Sequence, residues 1–157
     1  MPPRPKISSE LRAFVRERAS SRCEYCHALE AWQYVEFTLE HVVPIVAGGR
    51  TAPENLALAC FTCNRRKWDR AASVDPLTGE PASLFDPRAQ SWNDHFAWSS
   101  DGLVLHGLTP AGRATVAALE LNRERLQRIR EADVALGRHP PETDRRALHP
   151  SGDHRDR

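Results

Sequence analysis

The four cysteines constrain this chain more than any other feature. They fall as two Cys-x-x-Cys pairs, Cys23 and Cys26 in "CEYC" and Cys60 and Cys63 in "CFTC", with 33 residues between the pairs. Two thiolates at that spacing reach one ion from a tight turn, and two such pairs complete the tetrahedral four-thiolate shell that Zn²⁺ favours. Any fold built on such a site must bring two distant turns together. Disulfides are the competing reading, but they need an oxidising compartment. The N-terminal "MPPRPKISSE" lacks the apolar run of a secretory signal, so the expectation is a cytoplasmic protein with reduced thiols. A thioredoxin-like redox site needs one such pair beside a βαβ unit, not two pairs.

With 157 residues there is room for one domain with a real core. The longest apolar runs, "VVPIVA" and "LALACF", fall far short of the ~20 residues that cross a bilayer, so no membrane span is expected. Net charge is +1, because 22 Lys+Arg nearly cancel 21 Asp+Glu; a nucleic-acid partner must be read from local clusters.

Residues 1–7 are Pro-rich and read as a mobile leader. Ser8 or Ser9 caps a helix to about Ala19, with Leu11, Phe14, Val15 and Arg18 on one face. Residues 31–46 are rich in Val, Phe, Tyr, Trp, Thr and Ile and favour extended structure, with Pro44 bending or ending the strand. "AGGRTAPEN" (47–55) is a loop, "LALAC" a short apolar strand, and "FTCNRRKWDRAA" a helix that starts at the second cysteine pair. "VDPLTGEPASLFDPR" carries the turns of a hairpin, "GLVLHGL" reads as a strand, and Thr109 with Pro110 starts a helical stretch to about Leu136, broken near Asn122 and stopped by Gly137. The organisation is a leader (1–7), a core (8–72), an extension packed on it (73–137) and a disordered, charged, Pro-rich tail (138–157).

The stretch "EHVVPIVAGGRTAPENLALACFTCNRRK" (40–67) sets an acidic-His pair at a strand end. After it come a Gly-Gly loop, Pro-Glu-Asn-Leu, an apolar strand, Cys-x-x-Cys-Asn and a basic helix. This order resembles the HNH endonuclease family in its zinc-stabilised ββα-metal form, over about 23–70. The segment from "DPLTGE" through "WNDHF" to "LTPAGRATVAAL" is similar to the C-terminal extension of a bacterial branch. The fold class expected is therefore α+β, a ββα-metal core with a four-cysteine zinc site, an N-terminal helix and a hairpin and helical extension.

What the resemblance implies is a DNA endonuclease leaving 5′-phosphate and 3′-hydroxyl ends. Hydrolysis of a phosphodiester needs a deprotonated water, neutralised phosphoryl oxygens and a stabilised leaving 3′ oxygen. His41 maps onto the general base. Glu40 supplies a carboxylate oxygen to Mg²⁺ or a similar ion. Asn55 maps onto the residue that ties the loop to the backbone near the histidine, although alone it reads as a local Asx turn. Asn64 maps onto a second metal ligand, where a solvated helix residue is the plain alternative. Successive strand side chains point to opposite faces, so Glu40 and His41 share a site only if the strand ends or distorts there.

Arg65, Arg66, Lys67 and Arg70, offset by Asp69, form a basic helix that can grip phosphates, though a solvated face looks the same. Trp32, Trp68, Trp92 and Trp98 read as core or lid residues rather than base-stacking platforms. His27 is a possible but unneeded zinc ligand, and His95 either approaches the site or packs. Glu in place of the frequent Asp, and Asn64 in place of the frequent His, depart from the commonest family pattern. The alternative to an endonuclease is a zinc-ribbon module that binds nucleic acid or protein without cutting.

Overall fold

A computed structural model describes residues 5–147. Helix α1 (Ser9–Arg18) starts where Ser8 Oγ accepts the Leu11 backbone N–H, at 3.1 Å. Its buried residue is Val15, with Leu11 packed beside it; Phe14 stays half exposed under the Arg18 guanidinium. Arg18 itself donates to the carbonyls of Pro53 and Leu56, so the charged residue on the apolar face bonds to the next layer of chain.

Two strands and a helix follow. Strand β1 (Thr38–His41) pairs antiparallel with β2 (Leu56–Ala59), with Glu40 opposite Ala57 and His41 opposite Leu56. β2 is buried throughout, as its continuous apolar text requires. Helix α2 (Phe61–Lys67) begins at Cys60, whose sulfur accepts from the Cys63 N–H. The long extended segment expected over 31–46 is shorter here. Only four residues pair, and single 3₁₀ turns, Glu30–Trp32 and Ile45–Ala47, stand on either side. Glu30 explains the first turn, because its carboxylate takes Arg16 and the Phe37 N–H and so folds the chain back onto α1.

Beyond α2, strands β3 (Ala72–Val74) and β4 (Pro81–Ser83) form a hairpin. Then come α3 (Trp92–His95), the β5 (Phe96–Trp98) and β6 (Leu105–Gly107) pair, α4 (Pro110–Ala118) and α5 (Glu124–Ala135). Thr109 caps α4, and the chain breaks between α4 and α5 around Asn122, which exchanges two hydrogen bonds with Leu105. One cluster of buried side chains runs through core and extension alike: Tyr25, Cys63, Phe85, Trp92, Phe96 and Trp98 are all in it.

Both ends of the described chain differ from expectation. Ile7 packs against the core, although the leader was expected to be free to that point. Residues 138–147 also lie on the domain, against the expectation of a disordered tail. Asp144 is buried, accepts from Trp98 Nε1 at 2.9 Å and meets His27 Nδ1 at 2.7 Å, while Trp98 exchanges backbone hydrogen bonds with Arg145 and Ala147. Composition pointed the wrong way because two polar anchors hold a segment with few apolar groups. Residues 1–4 and 148–157 of those expectations lie outside the described residues. No helix among the described residues is long and apolar enough to cross a membrane.

The β3–β4 hairpin is tied to α4 by Asp75. Its carboxylate takes Arg113 through both oxygens, at 2.9 and 2.8 Å, and also the Leu77 N–H and the Thr78 hydroxyl. These donors, Arg113 foremost, hold the Asp75 carboxyl well below the usual carboxylate range. A carboxyl depressed in the folded state stabilises fully above its unfolded value of ~3.9, and that contribution drains away as pH falls toward the folded value. Asp75→Asn is therefore expected to lower the melting temperature at pH 7, with a deficit against wild type that shrinks progressively as pH falls below about 4. Thermal melts across pH 7 to 2 check this; a deficit that persists unchanged in acid contradicts it.

Candidate active site and zinc centre

The four cysteine sulfurs lie within 4.8 Å of one another, and Cys26 Sγ is 3.9 Å from Cys60 Sγ. Each pair sits on a tight turn. At the first, the His27 N–H bonds back to the Cys23 carbonyl and Glu24 pairs with Leu58 of β2 through its own N–H and its carboxylate. At the second, Cys60 opens α2. Four sulfurs at this separation match a tetrahedral ion with metal–sulfur bonds of ~2.3 Å, so this cluster can hold a structural metal ion. Hydrogen bonds from Cys23, Cys26 and Cys63 pull the Cys60 thiol strongly down, while burial pushes Cys23 up. His27 is not part of the cluster: its ring stacks on Trp92 at 4.1 Å and is held by Asp144.

His41 ends β1, half buried, with Nε2 2.9 Å from Thr51 Oγ1. Asn55 ties the intervening loop. Its Oδ1 accepts from the Val43 N–H at 2.8 Å, and its Nδ2 donates to the carbonyls of Val43 and Arg50 at 3.0 and 2.9 Å. Backbone and side chain approach so closely that a Cβ on Gly49 meets Val43 O at 1.8 Å and Asn55 Nδ2 at 2.8 Å, which is why the loop needs glycine there.

Glu40 is not where a ligand for a hard cation belongs. The pairing stays regular up to His41, where β1 ends, and there Glu40 is buried while His41 is half buried. Glu40 is 3% exposed and both carboxylate oxygens are taken, Oε1 by Lys67 Nζ at 2.5 Å and Oε2 by the Tyr25 hydroxyl at 2.6 Å. Lys67 also donates to the backbone oxygens of Val42 at 3.0 Å and His41 at 3.3 Å. The cation beside Glu40 is the Lys67 ammonium. Burial pushes the Glu40 carboxyl up, and Lys67 and Tyr25 pull it back. Asn64 lies on the same side as Glu40 but turns its amide to Thr38 Oγ1, at 2.9 Å. Glu40 and Asn64 thus do not fit a second, divalent ion as arranged. Among the described residues, the four cysteines are the only such group of three or more His, Cys, Asp or Glu.

The basic helix is similarly divided. Lys67 is 1% exposed and cannot reach a phosphate, which corrects its expected role. Arg66 pairs with Glu120. Arg65 and Arg70 remain exposed, although Arg70 also donates to the Arg66 and Ala118 carbonyls. His95 packs, bonded to Thr109. Trp92 and Trp98 are core residues, whereas Trp32 and Trp68 are 51% and 67% exposed. Tyr25, Thr38 and Thr51 were not marked by the sequence. Each is a single polar residue whose partner is 10 to 26 positions away, and no local pattern reports such a pairing.

Residues 23–70 match the family model described as HNH endonuclease. Over that segment the chain is similar to the HNH endonuclease family. The match covers less than a third of the chain and spans both cysteine pairs, the β1–β2 hairpin and α2. Comparison with curated proteins and with solved structures finds no significant match. The matched segment carries His41, Asn55 and Asn64.

The Lys67–Glu40 contact makes a prediction of its own. Lys67→Met leaves a buried carboxylate without its counter-charge and is expected to cost ~3–5 kcal/mol of stability. Glu40→Gln combined with Lys67→Met removes both charges and is expected to recover much of that loss. Denaturant unfolding of the two variants checks this; a single variant as stable as wild type contradicts it.

Proposed function

We propose that the HNH domain hydrolyses phosphodiester bonds in DNA, with His41 as the general base and one zinc ion in the four-cysteine site holding the scaffold. The observation that carries this reading is the HNH match over a segment in which His41 stands at a strand end, half exposed, with its ring oriented by Thr51. A neutral imidazole at this position can take a proton from an attacking water. Asn55 and Gly49 fix the loop that carries Thr51 and so set where that ring sits. Arg65 on α2 and Arg70 just beyond it are the exposed cations that would meet backbone phosphates.

Cleavage rate against pH tests the assignment of the base. A histidine base loses activity on the acid side within about pH 5–8. A profile flat from ~5 to ~9 contradicts it.

One observation favours the second reading, a module that binds nucleic acid without cutting it: the Glu40 carboxylate is closed off by Lys67 and Tyr25. On that reading, binding persists and no condition produces cleavage.

A further inference from the structure

Trp68 follows the last residue of α2 with φ 51° and ψ −123°. Its own N–H completes the helix by bonding to the Asn64 carbonyl at 2.9 Å, and the Arg70 N–H bonds to the Lys67 carbonyl at 3.0 Å. That is the first central position of a tight turn of the II′ kind, which glycine normally fills because a Cβ is strained at positive φ. A tryptophan is among the least suitable residues for it, and its side chain gains little from the fold, being 67% exposed. Local energetics therefore favour glycine.

The surroundings show what such a ring can meet. Phe61 and Arg65, at i and i+4, lie on the side of α2 away from the buried Cys63 and Lys67, and Trp68 follows directly at the helix end. Phe61 is 53% exposed, and Arg65 is exposed as well. Arg70 is exposed two residues on, with Asp69 as the one acidic side chain in the stretch. Two exposed aromatic side chains and exposed guanidinium groups in one ten-residue stretch suit a polyanion that also offers flat π-faces: stacking takes the bases and arginine takes the phosphates.

We infer that Trp68, with Phe61 and Arg65, forms a stacking platform for unpaired bases of a nucleic acid, retained at the expense of turn stability. This rests on the nuclease reading and adds a preference for DNA with single-stranded or unpaired bases, since a fully paired duplex does not expose base faces to a ring.

The test uses the zinc-loaded full chain, with Trp68→Gly and Trp68→Phe. Affinities are measured by anisotropy for a single-stranded oligonucleotide, a duplex with an unpaired bulge and a fully paired duplex, without divalent ions. Trp68→Gly is expected to raise the melting temperature by a few degrees, because it relieves the turn. It is expected to weaken binding to the first two DNAs about tenfold or more, and to the paired duplex little. Trp68→Phe keeps a ring and is expected to retain most of the binding. A melting temperature that falls in Trp68→Gly makes Trp68 a structural residue and overturns the inference. Unchanged DNA affinity with a raised melting temperature also overturns it and leaves the face to a partner of another class. Should wild-type protein cut plasmid yet bind all three DNAs independently of Trp68, the inference alone fails. If it neither binds nor cuts any of them, the nuclease reading fails with it.

Discussion

Cys60→Ala is expected to leave the chain without metal and without its core. Structural zinc sites of this kind supply about 10–16 kcal/mol of apparent binding energy at neutral pH, which equals or exceeds the ~5–15 kcal/mol by which whole domains are stable. Cys60 holds two links at once, as a sulfur of the cluster and as the group that caps α2 against the Cys63 N–H. Losing it frees α2 from β1 and β2 and removes the partner that keeps Glu40 buried. Elemental analysis should find one zinc per wild-type chain, and circular dichroism should show the variant, or wild type treated with a strong chelator, unfolded. Folded wild-type protein with no metal contradicts this.

His41→Ala should behave in the opposite way. The side chain is half buried, Thr51 is its hydrogen-bonded partner in the loop, and a truncation there opens little of the core. Removing a general base typically lowers rate by ~10²–10⁴, so plasmid cleavage should fall by that factor. Zinc content, melting temperature and DNA affinity should stay near wild type. A variant that loses zinc and unfolds makes His41 structural and favours the non-cutting module.

These two expectations separate scaffold from chemistry, and the sequence separated them to different degrees. The cysteine pairs were legible because each is a local, four-residue signature whose partner is of the same kind. The β1–β2 hairpin and α2 were legible for the same reason, as short apolar or basic runs bounded by turn residues. Asn55 was legible through its place in Pro-Glu-Asn-Leu, and its three hydrogen bonds are all to chain within 12 positions.

Glu40 lies in a different setting from the one the family pattern implies. Strand alternation alone put Glu40 and His41 on opposite faces; the family pattern argued that the strand ends or distorts there so as to join them. The strand stayed regular because Lys67, 27 positions on, brings its ammonium to the inner face and makes a buried carboxylate tolerable there. A lysine in a basic helix looks solvated until the helix is packed. The residues at 138–147 failed for a related reason: Asp144 reaches Trp98 across 46 positions, and a Pro-rich, charged text gives no hint of it. Trp68 reads from sequence as a core or lid residue, and it is 67% exposed just past the end of α2.

The central proposal is that the HNH-like segment of this protein cuts DNA. Zinc-loaded wild-type protein, shown to be folded, should be incubated with supercoiled plasmid across a titration of Mg²⁺ and of Mn²⁺ at pH 8, beside His41→Ala at equal concentration. The account predicts nicked or linear product with wild type and a rate at least ~10² lower with the variant. Plasmid that stays supercoiled under every ion, with protein folded and bound to it, contradicts the claim.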